Sequence, residues 1–96
     1  MNTLRKPTFL DLDGHILRTF IAILENSSVS IAAERLDLTQ SAVSHTLAKL
    51  RIILGDPFFV RSGQGLSPTK TAISLKEPVQ MVLDDLMGLT ARGPGP

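Results

Sequence analysis

Four polar side chains, Gln40, Ser41, Ser44 and His45, fall close together near the start of a segment that can form a helix. Gln can bond adenine through two hydrogen bonds at once, and Ser can bond a base edge or a phosphate. A helix N-terminus adds free N–H groups and a positive dipole end. Further along, Arg61 precedes the turn-forming run Ser62-Gly63-Gln64-Gly65, and Arg is favoured in narrow, A·T-rich minor grooves. The same residues are poorly suited to catalysis. Ser44 and His45 are sequence neighbours, so on a helix they diverge by about 100° and make a poor nucleophile–base pair. There is no paired carboxylate near a His on a common face and no Gly-rich phosphate loop, so an enzyme is not expected. The chain has no Cys, which excludes a structural zinc finger and a disulfide framework. His15 and His45 are too few and too far apart to suggest a metal site, and His15 is read as non-functional. No cofactor is expected.

The distribution of charge says more than the net value of +1. Residues 35–76 hold Arg35, Lys49, Arg51, Arg61, Lys70 and Lys76 against Asp37 and Asp56, a net +4. The flanks are acidic, at −1 for residues 1–34 and −2 for residues 77–96. A basic middle suits an anionic partner. With 96 residues and 43% hydrophobic content, one small domain with an aliphatic core is expected, marginally stable unless a partner chain covers apolar surface. No apolar run reaches the roughly 18 residues of a membrane span. No signal peptide is evident, so the expected location is the cytoplasm.

The elements that must position the polar cluster follow from caps and periodicity. Residues 1–10 read as a flexible extension, with Pro7 opposing an early helix. Asp13 is a helix N-cap, and Leu17, Phe20, Ile21 and Leu24 form one apolar face. Asn26-Ser27-Ser28 ends that helix. Ser30 is the N-cap candidate for a short second helix carrying Ile31, Ala32, Ala33 and Leu36. Thr39 caps a third helix, Gln40 to Leu54, with Val43, Leu47, Leu50 and Leu54 on one face. Gly55 ends it. Phe58-Phe59-Val60 and Leu66-Ser67 can pair as a short hairpin. A last helix runs from about Thr69 to Leu89, and the Gly/Pro-rich residues 91–96 read as a disordered tail.

Small Ala32 and Ala33 let the third helix approach the second, and Leu38 points inward from the turn between them. This is the geometry of a helix-turn-helix, whose second helix lies in the major groove. No acidic residue lies between Thr39 and Gly55, which removes repulsion from phosphate. Local chemistry alone leaves two readings open: a DNA-reading helix, or a surface helix capped by Thr39, Gln40 and Ser41. The hairpin carrying Arg61 favours the first.

Over Ser30 to Arg51 the chain reads SIAAERLDLTQSAVSHTLAKLR, and over Leu54 to Thr69 it reads LGDPFFVRSGQGLSPT. This combination resembles the DNA-binding domain of LysR-type transcriptional regulators, with similarity from about Leu12 to Leu89. The resemblance implies a mainly α fold: a winged helix-turn-helix (11–68) of three helices and a two-stranded wing, then a long linker helix (69–90). It implies sequence-specific binding of double-stranded DNA as a homodimer on an interrupted inverted repeat, with tetramers in full-length members. Carried over by position, Gln40, Ser41, Ser44 and His45 fall where the family reads DNA. Thr39 caps the recognition helix near phosphate. Arg35, Lys49 and Arg61 fall at backbone contacts, and Thr69 and Lys70 start the linker helix near phosphate. The family often has Pro where Ser41 stands and Arg or Asn where His45 stands, so base preference there is not carried over. Members also carry a C-terminal effector-binding domain. The reading here is of an isolated DNA-binding domain, or a truncated product, with no small-molecule effector site in this chain.

Ala72, Leu75, Val79, Val82, Leu86 and Leu89 are spaced as a heptad stripe and are read as the dimer seam. The 21 residues Thr69–Leu89 would span about 32 Å as a helix, close to the ~34 Å between successive major-groove faces. Pro78 should kink or locally break this helix. The alternative reading is an interaction module that dimerises with a full-length regulator without reading DNA itself.

Overall fold

A computed structural model describes residues 5–63 and 65–92. Its core is built around α1 (Gly14–Asn26), which buries Ile16, Leu17, Phe20, Ile21, Ala22 and Ile23. Asp13 caps it as expected, its carboxylate accepting from the Ile16 N–H at 2.8 Å. Thr19, also buried, gives its hydroxyl proton to the His15 carbonyl at 2.8 Å, so no polar group in this helix is stranded.

α2 (Val29–Leu36) starts two residues earlier than the sequence reading placed it. Its N-cap is Ser28, whose hydroxyl accepts from the Ile31 N–H at 3.1 Å. Ser27 takes the left-handed conformation (φ 52°) and turns the chain so sharply that Ser28 is already in cap position. Val29 then packs against the core as a helical residue. Ala32 and Ala33 are buried, and α1 and α3 both pack on α2. α3 (Gln40–Leu54) begins at Thr39, whose hydroxyl accepts from the Ala42 N–H at 3.1 Å, and ends at Gly55 with φ 67°. Its buried face is Val43, Thr46, Leu47 and Leu50, whereas Leu54 remains 42% exposed.

The wing pairs β1 (Phe59–Ser62) with β2 (Gly65–Pro68) antiparallel, Arg61 opposite Leu66. Phe58, expected in the first strand, instead sits before it with φ 64° and a fully buried ring. The Asp56 carboxylate accepts from the Phe58 N–H at 2.7 Å, and the Phe59 N–H turns back to the Pro57 carbonyl at 2.7 Å. A bulky residue in this region costs about 1–3 kcal/mol; the ring's burial against Phe20, at 5.4 Å between centroids, opposes that cost. The wing is also docked on the helices. The Leu66 N–H bonds the Ser27 carbonyl at 3.1 Å, and a Cβ on Gly65 would lie 2.9 Å from that same oxygen. Only Gly permits the approach.

α4 (Lys70–Arg92) runs unbroken through Pro78. Proline leaves the Ser74 carbonyl without its usual donor, but both residues are exposed and water can take the donor's place. α4 packs on α1, and Ala72, Leu75 and Val79 of the expected dimer stripe belong to the domain's own core, as does Leu83 beyond them. Val82, Leu86 and Leu89 stay exposed, with Met81 and Met87 beside them. Before α1, residues Phe9–Asp11 form a short 3-10 turn capped by Thr8, where the sequence reading had a flexible extension. Ala91 and Arg92 of the expected tail are helical; its residues 93–96 lie outside the described residues.

Candidate nucleic-acid interface

The first two turns of α3 bring Gln40, Ser41, Ser44 and His45 together as exposed side chains. Gln40 and Ser44, and likewise Ser41 and His45, are one turn apart on neighbouring rows. Among the described residues, no hydrogen bond within the protein engages these four side chains. The helix itself leaves its first N–H groups without intrahelical acceptors. Thr39 uses its hydroxyl oxygen as the cap, so its hydroxyl proton remains free for an outside acceptor. Gln40 also borders a shallow hollow with Ser30 and Glu34 of α2.

The cations divide into groups. Arg61 stands exposed on β1 and Lys70 exposed at the start of α4. Lys49 is half-buried on α3. Arg35 is exposed at the end of α2, where it borders a cleft with Arg18 and Glu25 of α1, separate from the hollow at Gln40. Arg51 was not singled out from sequence, and the structure gives it a fixed place. Its Nε donates to the Pro57 carbonyl at 2.8 Å and its Nη2 to the Phe59 carbonyl at 3.3 Å, tying the wing's root to α3.

Thr69 is engaged within the protein. Its hydroxyl donates to Asp56 at 2.9 Å and accepts from the Ala72 N–H at 3.1 Å, while its own N–H bonds the Phe58 carbonyl at 2.8 Å. Thr69 thus clasps the start of α4 to the turn before the wing. The Phe58 N–H, aided by the Thr69 and Thr71 hydroxyls, holds the Asp56 carboxyl below its ordinary 3.8, against an opposing effect of partial desolvation. The clasp therefore stabilises the fold above pH 3.8, and that contribution is lost as pH falls through the lowered value. Asp56→Ala is expected to melt below the wild type at pH 7, with the gap closing below pH 3.8. Thermal melts across pH check this; a gap independent of pH would deny the carboxylate its role.

Among the described residues no helix is long and apolar enough to cross a membrane, and no cluster of His, Asp and Glu could hold a metal ion. The family profile described as "Bacterial regulatory helix-turn-helix protein, lysR family" matches residues 15–72. The chain is 49% identical over 76 residues to the transcriptional activator NahR of Pseudomonas putida, an overlap of 79% of this chain and 25% of NahR. It is 45% identical over 83 residues to the activator NagR of a Ralstonia species, covering 85% of this chain and 28% of NagR. The chain thus spans about a quarter of the length of these curated relatives. Its fold superposes on the CbnR DNA-binding domain, solved in complex with DNA, with a TM-score of 0.74 and 26% identity, over 83% of this chain and 91% of that one. With an exposed polar cluster on α3, a docked wing beside it and a profile match over more than half its length, the chain belongs to the LysR family of bacterial regulatory helix-turn-helix proteins, and its fold is that of their winged DNA-binding domains.

Proposed function

We propose that this chain reads double-stranded DNA sequence-specifically as part of a regulator of transcription, with α3 in the major groove and Arg61 of the wing on the adjacent backbone or minor groove. The observation that carries the reading is the first two turns of α3: four exposed side chains with no protein partner among the described residues, at the Thr39-capped N-terminus of a helix without acids. Lys70 adds to it. A cation at a helix N-terminus opposes the helix dipole, and an external phosphate would reverse that penalty. Thr39, Lys49 and Lys70 are assigned to the backbone, and Arg35 to its periphery. Replacing Arg61 by Ala is expected to weaken binding to all sequences and to make the salt dependence shallower by about 0.9 in slope. Titrations of labelled duplex at several salt concentrations check this; an unchanged slope would remove Arg61 from the phosphate contacts.

The same proposal includes a homodimer on an inverted repeat, joined through the distal half of α4, and tetramers in the full-length protein. Val82, Leu86 and Leu89 support it. Val82 and Leu86 also border an apolar groove of about 500 Å³ with Leu12, Leu17 and Leu54, a surface that a second copy of α4 could cover. Sedimentation at micromolar concentration is expected to show a dimer, and Leu86→Asp a monomer. A wild-type monomer would sink this part of the reading.

A further inference from the structure

We propose that Arg51 is the positioning residue for the wing: by holding two carbonyls at the root of β1, it fixes Arg61 relative to the reading side chains of α3. This role rests on the DNA-binding reading above, in which Arg61 meets the backbone or minor groove. Arg51 itself acts on the DNA only through the wing.

The hold has two points. Arg51 Nε donates to the Pro57 carbonyl at 2.8 Å, and Nη2 donates to the Phe59 carbonyl at 3.3 Å. Both donors belong to one planar guanidinium of fixed shape. Together they set the direction of the chain from Pro57 to Phe59 as well as its distance from α3. Arg61 follows in the same strand, about 7 Å further along.

The hairpin does not supply this hold by itself. Phe59 stands opposite Pro68, and Arg61 opposite Leu66. Proline has no N–H to give, and the Leu66 N–H goes to the Ser27 carbonyl at 3.1 Å. The Phe59 carbonyl therefore takes its donor from outside the hairpin, and Arg51 provides it. The other ties reach Leu66 on β2 and Phe58 before β1. Among the described residues, no other hydrogen bond joins β1 to a helix. The Phe59 ring, buried against Phe20, fixes how deep the strand sits. Apolar burial is non-directional, so the path of the strand beyond that point is left to the guanidinium.

Arg51 does this from the reading helix. Ser44 and Arg51 are close to two turns apart, so they share a face of α3 at about 10 Å along the axis. One rigid helix thus carries a proposed base-reading side chain and the anchor of the wing. Arg51 is exposed, and its Nη1 donors have no protein acceptor among the described residues. A direct phosphate contact is therefore the competing role that the experiment must separate.

The test uses the full 96-residue chain and a fluorescently labelled duplex of mixed sequence, with affinity measured against potassium chloride concentration. Arg51→Lys keeps the charge but not the fork. It is expected to make the slope shallower by about 0.9, as Arg61→Ala does, and to add nothing to Arg61→Ala in the double variant. A phosphate contact by Arg51 itself would keep the slope in Arg51→Lys, and that result overturns the inference, as does an additive loss in the double variant. Lys is about as good a helix former as Arg, so circular dichroism is expected to show Arg51→Lys folded. Limited trypsin digestion gives a readout without DNA. Cleavage after Arg61 is expected to quicken in Arg51→Lys while cleavage after Arg18 of α1 does not; an unchanged rate after Arg61 overturns the inference. A wild-type slope in Arg61→Ala overturns the Arg61 reading and this role with it. A shallower slope in Arg61→Ala beside an unchanged one in Arg51→Lys overturns the role of Arg51 alone.

Discussion

Gln40→Ala is expected to weaken binding to the cognate duplex by about 1–3 kcal/mol while leaving binding to random DNA almost unchanged. The side chain is exposed at the first position of α3, and no hydrogen bond within the protein engages it among the described residues. Its removal therefore leaves the fold intact; Ala is also the best helix former. What is lost is the amide's paired donor and acceptor, which match adenine and little else. Selection from a randomised duplex library should show relaxed preference at one base pair. Equal losses on selected and random DNA would place Gln40 on the backbone rather than on a base.

Phe58→Ala is expected to cost about 3–5 kcal/mol of stability, the usual range for emptying a large aromatic site. That is a large share of the ~5–15 kcal/mol that holds a typical domain together. The ring is fully buried, edge-on to Phe20 at 5.4 Å, and Phe59 packs on the same Phe20 at 5.9 Å. Three of the four Phe residues thus meet where the wing joins the helices. Ala has no more tolerance than Phe for the left-handed backbone at this position, so nothing offsets the cavity. Urea unfolding followed by far-ultraviolet circular dichroism checks the value. Phe9→Ala is the control: Phe9 is exposed and its loss should be close to neutral. A Phe58→Ala loss below about 1 kcal/mol would mean that the junction closes without the ring.

The parts of this fold that depend on near neighbours in sequence are legible without the structure. Asp13, Thr39 and Gly55 mark helix ends because capping involves residues only three or four apart. The exposure of Gln40, Ser41, Ser44 and His45 follows from the helical period once Val43 and Leu47 are assigned inward. The start of α2 is not legible in the same way, because either Ser28 or Ser30 could cap and the left-handed turn at Ser27 decides between them. The Thr8–Asp11 box does leave a local signal in its Thr-x-x-Asp pattern. The tertiary clasps left no such trace. Arg51 reaching Pro57 and Phe59, and Thr69 reaching Asp56, join segments that the chain brings together only on folding. The heptad stripe on α4 has a subtler limit. Periodicity shows that Ala72 and Val79 are covered, but not that the covering helix is the domain's own α1.

The bond from the Leu66 N–H to the Ser27 carbonyl, with Gly65 pressed against the same oxygen, makes the wing and the reading helix two jaws of one caliper. The jaw opening is set by that contact with the turn between α1 and α2 and by Arg51 of α3 on the Pro57 and Phe59 carbonyls, none of which uses a side chain assigned to the DNA in the proposed complex. A domain gripping DNA this way measures how far the groove floor lies from the neighbouring backbone as well as which bases line it. Duplexes of identical contact sequence but different groove width would then be ranked by fit, and changes at Ser27 or Gly65 would retune that ranking without altering any residue that meets the DNA.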